Sequence, residues 1–242
     1  MQLGEPILRC DTCAVRHHSV CGALTRNEIE QLNAIAHHKT FPTGHLILND
    51  QEKAGYFANI ISGVVKLTKT LSNGRQQVLG LLFASDFLGR PYRASSPYDA
   101  EAVTEVHLCT YDRTQFERLV REHPGLQQRL FEHVLDELDA AQEWMLLLGR
   151  KTAEEKVASF LVMVARRIEM ARCIGAPAES AVRFELPITR AEIADYLGLT
   201  IETVSRQFTR LKAEKTIGLE GGRTVIILDR ERLAQAAERS SD

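Results

Sequence analysis

Between Phe41 and Tyr111 apolar and polar residues alternate in short runs punctuated by glycine: FPTGHLILN, YFANIISGVVKLTKTLSNGRQQVLGLLF, DFLGR and EAVTEVHLCTYD. A period of two predicts half-buried strands. Gly44, Gly63, Gly74 and Gly89 fall where the chain has to turn. Asn73-Gly74 separates two alternating runs, a hairpin signal because both residues tolerate positive φ. Strands this short and closely spaced predict a barrel or jelly roll. Ahead of them Ile29, Leu32 and Ile35 form a helical stripe, with Thr25 and Glu28 spaced as a capping box.

After the strands the period changes. Phe131, Val134, Leu138, Ala141, Met145 and Leu148 recur at alternating spacings of three and four, with Gln127 one step earlier. That is the seam of a coiled coil. Leu130, Leu135, Trp144 and Leu147 lie beside it and are expected to pack on the strands. An ordinary core helix would carry a similar stripe, but this apolar surface is wide enough for two jobs: one side for its own domain, the other for a second subunit. KTAEEKVASFLVMVARRIEMA predicts a second helix, with Val157, Phe160, Leu161, Val164 and Ile168 on one stripe, and CIGAPAES ends the pattern.

Thr189 and Glu192 form a further capping box, starting a short helix through Leu197. Gly198 permits a tight turn and Thr200 caps a second helix, whose buried stripe is read as Ile201, Val204, Phe208 and Leu211. Glu202, Ser205, Arg206 and Thr209 occupy the opposite face. Two short helices about such a turn make a helix-turn-helix, which offers its second helix to the major groove. Arg206 has the reach to bond a guanine edge twice, Glu202 can accept from cytosine, and Ser205 suits several bases. Arg190 and Arg210, with Arg183, Lys212 and Lys215, are candidates for phosphate contacts. EGGRTVIIL adds a hairpin wing with Gly221-Gly222 at its tip. A polar outer face is common on any amphipathic helix, yet cap, turn glycine and wing in this order favour DNA binding.

The 242 residues suit two domains, and 44% apolar with 26% charged residues is ordinary for a globular protein. A net charge of −2 does not advertise nucleic-acid binding, although a local basic patch suffices for it. No run approaches the ~20 apolar residues of a membrane span. Arg9, Asp11, Arg16, His17 and His18 interrupt any signal-peptide centre, so a cytoplasmic protein is expected, in a compartment that keeps thiols reduced. No catalytic constellation accompanies these features, and an enzyme is not expected.

The stretch CDTCAVRHHSVC holds Cys10, Cys13 and Cys21 together with His17 and His18. A zinc site from Cys10, Cys13, Cys21 and His17 or His18 is chemically reasonable, and spacing alone does not choose between a metal cage, a disulfide and chance. Scattered structural cysteines are the usual alternative, and a disulfide is disfavoured by the compartment.

At this point FPTGHLILND, ISGVVKLTKTLSNGRQQVLGLL and DFLGR resemble the effector barrel of the cyclic-AMP receptor and FNR superfamily. TAEEKVASFL resembles the helix that follows that family's dimerisation helix, and ITRAEIADYLGLTIETVSRQFTRLK is similar to the reader of the FNR branch. The resemblance spans nearly the whole chain, and ETVSR is its most specific part. It implies an α+β chain with an N-terminal β-roll (jelly-roll) effector domain, a long dimerisation helix and a C-terminal winged helix-turn-helix domain. The corresponding divisions are a cysteine-rich arm at 1–22, a β-roll at 23–122, a dimerisation helix at 123–149 and a DNA-binding domain at 150–242. It implies that Glu202, Ser205 and Arg206 read TTGAT-type half-sites of a palindromic operator, with Thr200, Thr209, Arg190 and Arg210 around them, in a homodimer joined along the seam. It further implies a [4Fe-4S] cluster held by Cys10, Cys13, Cys21 and Cys109. The seven residues between Cys13 and Cys21 depart from the enteric pattern of five and resemble FnrL-, FnrN- and some FixK-type regulators.

Cys173, His17 and His18 match no ligand position. Asp99-Ala100 stands where a cyclic-nucleotide sensor has its Arg-Ser/Thr pair, which disfavours a bound phosphate, and the eight histidines show no haem-binding pattern. The hairpin about Asn73-Gly74 resembles a family surface that touches RNA polymerase. The expectation is an oxygen-responsive regulator, active in DNA binding while its cluster is intact. The alternative is a cluster-free FixK-like or zinc-stabilised regulator.

Overall fold

The computed structural model describes residues 10–172 and 182–238, so Cys173 and the CIGAPAES break lie outside the described residues. Three short 3-10 turns, Cys10–Thr12, Arg16–His18 and Val20–Ala23, lead to α1 (Arg26–Ala34). The capping box is formed there: the Thr25 backbone N–H donates to the Glu28 carboxylate at 2.7 Å. Ile29, Leu32 and Ile35 are buried, as their spacing requires.

The strands follow as β1 (Ala36–Phe41), β2 (Leu46–Leu48), β3 (Tyr56–Ser62), β4 (Val65–Thr70), β5 (Gln76–Leu82), β6 (Phe87–Leu88), β7 (Asp99–Ala102) and β8 (Val106–Asp112). They make two four-stranded sheets, ordered β1-β8-β3-β6 and β2-β7-β4-β5. The turn between β4 and β5 is wider than two residues, with Leu71 and Arg75 bonded at 2.8 Å. Only Gly74 takes positive φ there (80°), while the Asn73 side chain accepts from the Arg75 N–H at 3.1 Å.

Next come α2 (Arg113–Glu122), α3 (Pro124–Arg150), α4 (Ala153–Arg172), β9 (Val182–Glu185), α5 (Arg190–Leu197), α6 (Ile201–Ala213), β10 (Ile217–Glu220), β11 (Thr224–Ile227) and α7 (Arg230–Glu238). Contacts gather the chain into two compact units. One joins the residues up to Val65 with Leu82–Asp136, and the other joins Lys66–Leu81 with the chain from Glu137 onward.

In the first unit Phe116 of α2 is ringed by aromatics. Its centroid lies 5.3 Å from Phe57, 5.5 Å from Phe87 and 5.3 Å from Tyr111. In the second unit Val157, Phe160, Leu161 and Val164 of α4 are fully buried, each contributing about 1.5–3 kcal/mol through apolar burial. The sheet β10-β11-β9 is antiparallel, pairing Val225 with both Leu219 and Phe184.

Two expectations for α3 are corrected. Trp144 does not pack on strands: its indole stacks on Tyr196 of α5, centroids 4.0 Å apart and planes 21° apart, where two large flat faces bury each other. Leu135 stays exposed, while Leu130 and Leu147 are buried. Ile201 also departs from its expected buried stripe. It stands at the first helical position of α6, ahead of buried Val204, Phe208 and Leu211, and is 48% exposed.

Candidate functional site

The reader is set by three local devices. Thr189 and Glu192 complete the capping box of α5, the Glu192 carboxylate accepting from the Thr189 N–H at 2.8 Å. Gly198 ends α5 in the left-handed conformation (φ 62°), which costs glycine little and turns the chain sharply. Thr200 then caps α6 by accepting from the Thr203 N–H at 3.2 Å. With Val204, Phe208 and Leu211 buried beneath, helical periodicity turns Glu202, Ser205, Arg206 and Thr209 to the surface.

Backbone and Thr200 hydrogen bonds hold the Glu202 carboxyl below its usual range, keeping it an ionised acceptor. The Thr209 hydroxyl donates to the Ser205 carbonyl at 3.0 Å. The two flanking arginines are less available than their sequence positions imply. Arg210 is paired with Glu154 at 2.7 Å and Glu214 at 3.0 Å. Arg190 lies with its guanidinium 3.0 Å from the Phe208 ring centroid, half-buried, and burial brings its pKa down to about 10. In the wing, Gly221 and Gly222 take positive φ between β10 and β11, and Arg183 pairs with Glu220 at 2.7 Å.

The second constellation is the thiols. Cys10 and Cys13 lie on and just after the first 3-10 turn, Cys21 lies on the third, and Cys109 sits on β8 opposite His38 of β1 and Asn59 of β3. All four are free thiols; Cys21 and Cys109 are buried, and Cys10 and Cys13 are partly exposed. Cys21, Cys109 and Cys10 share one apolar cluster with Tyr111, while His17 and His18 are exposed. The Cys10 thiol donates to Asn33 Oδ1 at 3.3 Å.

Burial pushes the Cys109 thiol up to about 12; a Tyr111 hydrogen bond opposes this, and neighbouring Cys21, Cys10 and Cys13 raise it further. Burial likewise raises Cys21. As free thiols these groups are neutral; were all four to bind as thiolates, they would require a positive centre, and four soft sulfur donors are the set that a thiolate-bound metal group takes. Among the described residues no three His, Cys, Asp or Glu side chains stand together as a single-ion cage.

Sequence reasoning did not single out Asn59 or Tyr111, whose polar atoms lie against Cys21. The available signal was an asparagine inside the apolar strand YFANIIS. It also missed Lys66 and Gln77 as partners of α5: Lys66 bonds Glu192, and the Gln77 amide donates to the Asp195 carbonyl at 2.6 Å.

Along α3 the apolar seam faces outward, with Phe131 62%, Val134 56%, Leu138 50% and Met145 63% exposed, and Ala141 and Leu148 also exposed. At the nucleotide-like position, Asp99 Oδ1 accepts from the Asp50 N–H at 2.8 Å and Ala100 is fully buried. A small cavity nearby is lined by Leu48, Gly89, Ser96 and Arg113 among others.

A β-roll followed by a long helix and a winged helix-turn-helix with a polar reading face defines a DNA-binding transcription regulator. Residues 38–123 match the family described as cyclic nucleotide-binding domain, and residues 155–236 match the Crp-like helix-turn-helix domain. The transcriptional activator protein FnrL of Cereibacter sphaeroides is 44% identical over 97% of this chain and 94% of its own length. The fumarate and nitrate reduction regulatory protein of Escherichia coli is 28% identical over 98% of this chain and 93% of its own. The structure of FixK2 from Bradyrhizobium japonicum superposes with a TM-score of 0.76 at 31% identity, covering 86% of this chain and all of that one. The chain belongs to the CRP/FNR family, in its FNR branch, and its relatives are transcription regulators rather than enzymes. Among the described residues no helix is long and apolar enough to cross a membrane.

Proposed function

We propose that the protein is an oxygen-responsive transcription activator that binds palindromic TTGAT-type operators as a homodimer while Cys10, Cys13, Cys21 and Cys109 hold a [4Fe-4S] cluster. The observation that carries this reading is that three free thiols, Cys10, Cys21 and Cys109, share one apolar cluster where the N-terminal turns meet β8, with Cys13 on the same turn as Cys10. When bound, such a cluster supplies an oxygen-labile iron centre and the positive charge that four thiolates require. The protein's own residues do the rest. Cys10, Cys13 and Cys21 tie the first turns to Cys109. Phe131, Val134, Leu138, Ala141, Met145 and Leu148 pair between subunits, and Glu202, Ser205 and Arg206 of each reader enter major grooves one helical turn apart. Small Ala141 and acidic Asp136, Asp139 and Glu143 keep that association weak, which lets a modest differential affinity shift it. The hairpin about Asn73-Gly74 is offered as the surface for RNA polymerase.

Purification under argon tests the reading. A brown protein with about four irons per chain, bleached by air with loss of operator binding, supports it. Cys109→Ser should abolish both colour and binding. A colourless protein with free thiols would favour a cluster-free FixK-like regulator, and one zinc per chain a zinc-stabilised one.

A further inference from the structure

Two buried hydrogen-bond donors converge on one of the candidate ligand sulfurs. The Asn59 amide of β3 donates to Cys21 Sγ at 3.1 Å and to the Tyr111 hydroxyl at 3.1 Å. The Tyr111 oxygen is itself 3.6 Å from Cys21 Sγ. That oxygen accepts from Asn59, and its own hydrogen lies within reach of two candidate ligand sulfurs, Cys21 and Cys109. Asn59 is 2% exposed, and its Oδ1 is buried with no hydrogen-bond partner among the described residues. An orphaned carbonyl costs free energy that leucine or valine would avoid in the same apolar strand. The amide is thus held donor-first toward the sulfur, an arrangement that stabilises negative charge on Cys21 when it binds a positive centre. Strand register places the pair well for this: Asn59 is opposite Cys109, and Tyr111 is two residues beyond Cys109 on the same side of β8.

Resting on the cluster reading above, we propose that Asn59 and Tyr111 are positioning residues that hydrogen-bond to the Cys21 thiolate and thereby set the potential and air stability of the bound cluster. Donors aimed at a ligand sulfur favour the more negatively charged, reduced state of an iron–sulfur centre. Removing them lowers the midpoint potential and eases oxidation.

The test compares wild type with Tyr111→Phe and Asn59→Leu, each purified and reconstituted under argon in the full chain. Iron and sulfide content, midpoint potential and the rate of visible bleaching at fixed dissolved oxygen are measured. The expected result is iron content equal to wild type, a more negative potential, and bleaching faster by about tenfold, the factor that one lost charge-assisted hydrogen bond represents. A purely structural role would lower iron retention and leave the potential of the loaded fraction unchanged, and that result overturns the proposal. Equal potentials and bleaching rates in loaded wild type and variants also overturn it, while leaving the cluster reading intact. A wild type that binds no iron under argon removes the cluster reading itself, and this proposal with it. If Asn59→Leu does not fold, Tyr111→Phe, which deletes one oxygen atom, decides alone.

Discussion

The Lys66 ammonium of β4 lies 2.5 Å from a carboxylate oxygen of Glu192, the third residue of the first reader helix. The Lys66 side chain is only 6% exposed, so the pair is largely withdrawn from water on one side. Glu192 thus does two jobs: it closes the capping box with Thr189 and it neutralises a buried cation. Lys66→Met should lower the stability of the second unit by about 1–2 kcal/mol, the worth of a charge-assisted bond discounted for the exposed part of Glu192. Urea unfolding at pH 7 measures it.

The same pair has a pH signature. Burial raises the Glu192 carboxyl, but Lys66 and Thr189 outweigh it, and the net position is below the usual range. A depressed folded pKa means that the unfolded chain binds the proton more readily. The stabilisation is therefore complete above the unfolded value of about 4.3 and is lost as pH falls through the lower, folded value. The difference in urea midpoint between wild type and Glu192→Gln should hold at pH 7 and shrink below pH about 4. A constant difference across that range would mean that the carboxylate's charge is not what stabilises the contact.

Arg206 and Arg210 stand four residues apart on α6, yet they should respond differently to alanine. Arg206 is exposed on the reading face, so Arg206→Ala should cost about 1–3 kcal/mol in operator affinity and relax preference at one base pair. Arg210 is held by Glu154 and Glu214. Arg210→Ala should leave the salt dependence of binding unchanged, whereas loss of a phosphate contact would reduce the slope by about one. Titrations of a labelled operator at several salt concentrations check both.

What the sequence disclosed follows the range of the interactions involved. Capping boxes at Thr25–Glu28 and Thr189–Glu192, the left-handed Gly198 and the wing glycines are settled within four residues, and all could be read directly. The outward seam of α3 was legible because its period is regular. Contacts closed over long stretches of chain were not: nothing local ties Lys66 to Glu192 or Trp144 to Tyr196. Arg190 is a phosphate candidate by sequence position, and nothing local to it foretells that its guanidinium lies over the Phe208 ring. The polar neighbours of Cys21 were hidden for the same reason, since Asn59 and Tyr111 meet it only when β3, β8 and the N-terminal turns come together.

Gly44 and Gly63 both take left-handed φ, at 82° and 90°, but only one is crowded. A Cβ on Gly44 would meet nothing within 4 Å, whereas on Gly63 it would lie 2.2 Å from the Glu105 carbonyl oxygen. Gly44→Ala should cost about 1 kcal/mol, the strain of the left-handed conformation alone. Gly63→Ala should exceed about 4 kcal/mol, because backbone rather than a flexible side chain must move. Thermal unfolding of the two variants separates them.

The seam supplies the most direct link between sequence pattern and DNA binding. Leu138 is half exposed at the middle of the α3 stripe, so replacing it with glutamate should leave the fold of a single chain intact. In a dimer the same substitution buries two like charges against each other, at a cost of about 3–5 kcal/mol. Leu138→Glu should therefore sediment as a monomer with wild-type circular dichroism, and its operator affinity should fall by at least about 100-fold, since each 1.4 kcal/mol is tenfold and one reader contacts only one half-site. Glu143→Gln, which removes a like charge beside the seam, should shift association the other way. Were Leu138→Glu to remain dimeric and bind its operator unchanged, α3 would not be the face on which subunits meet.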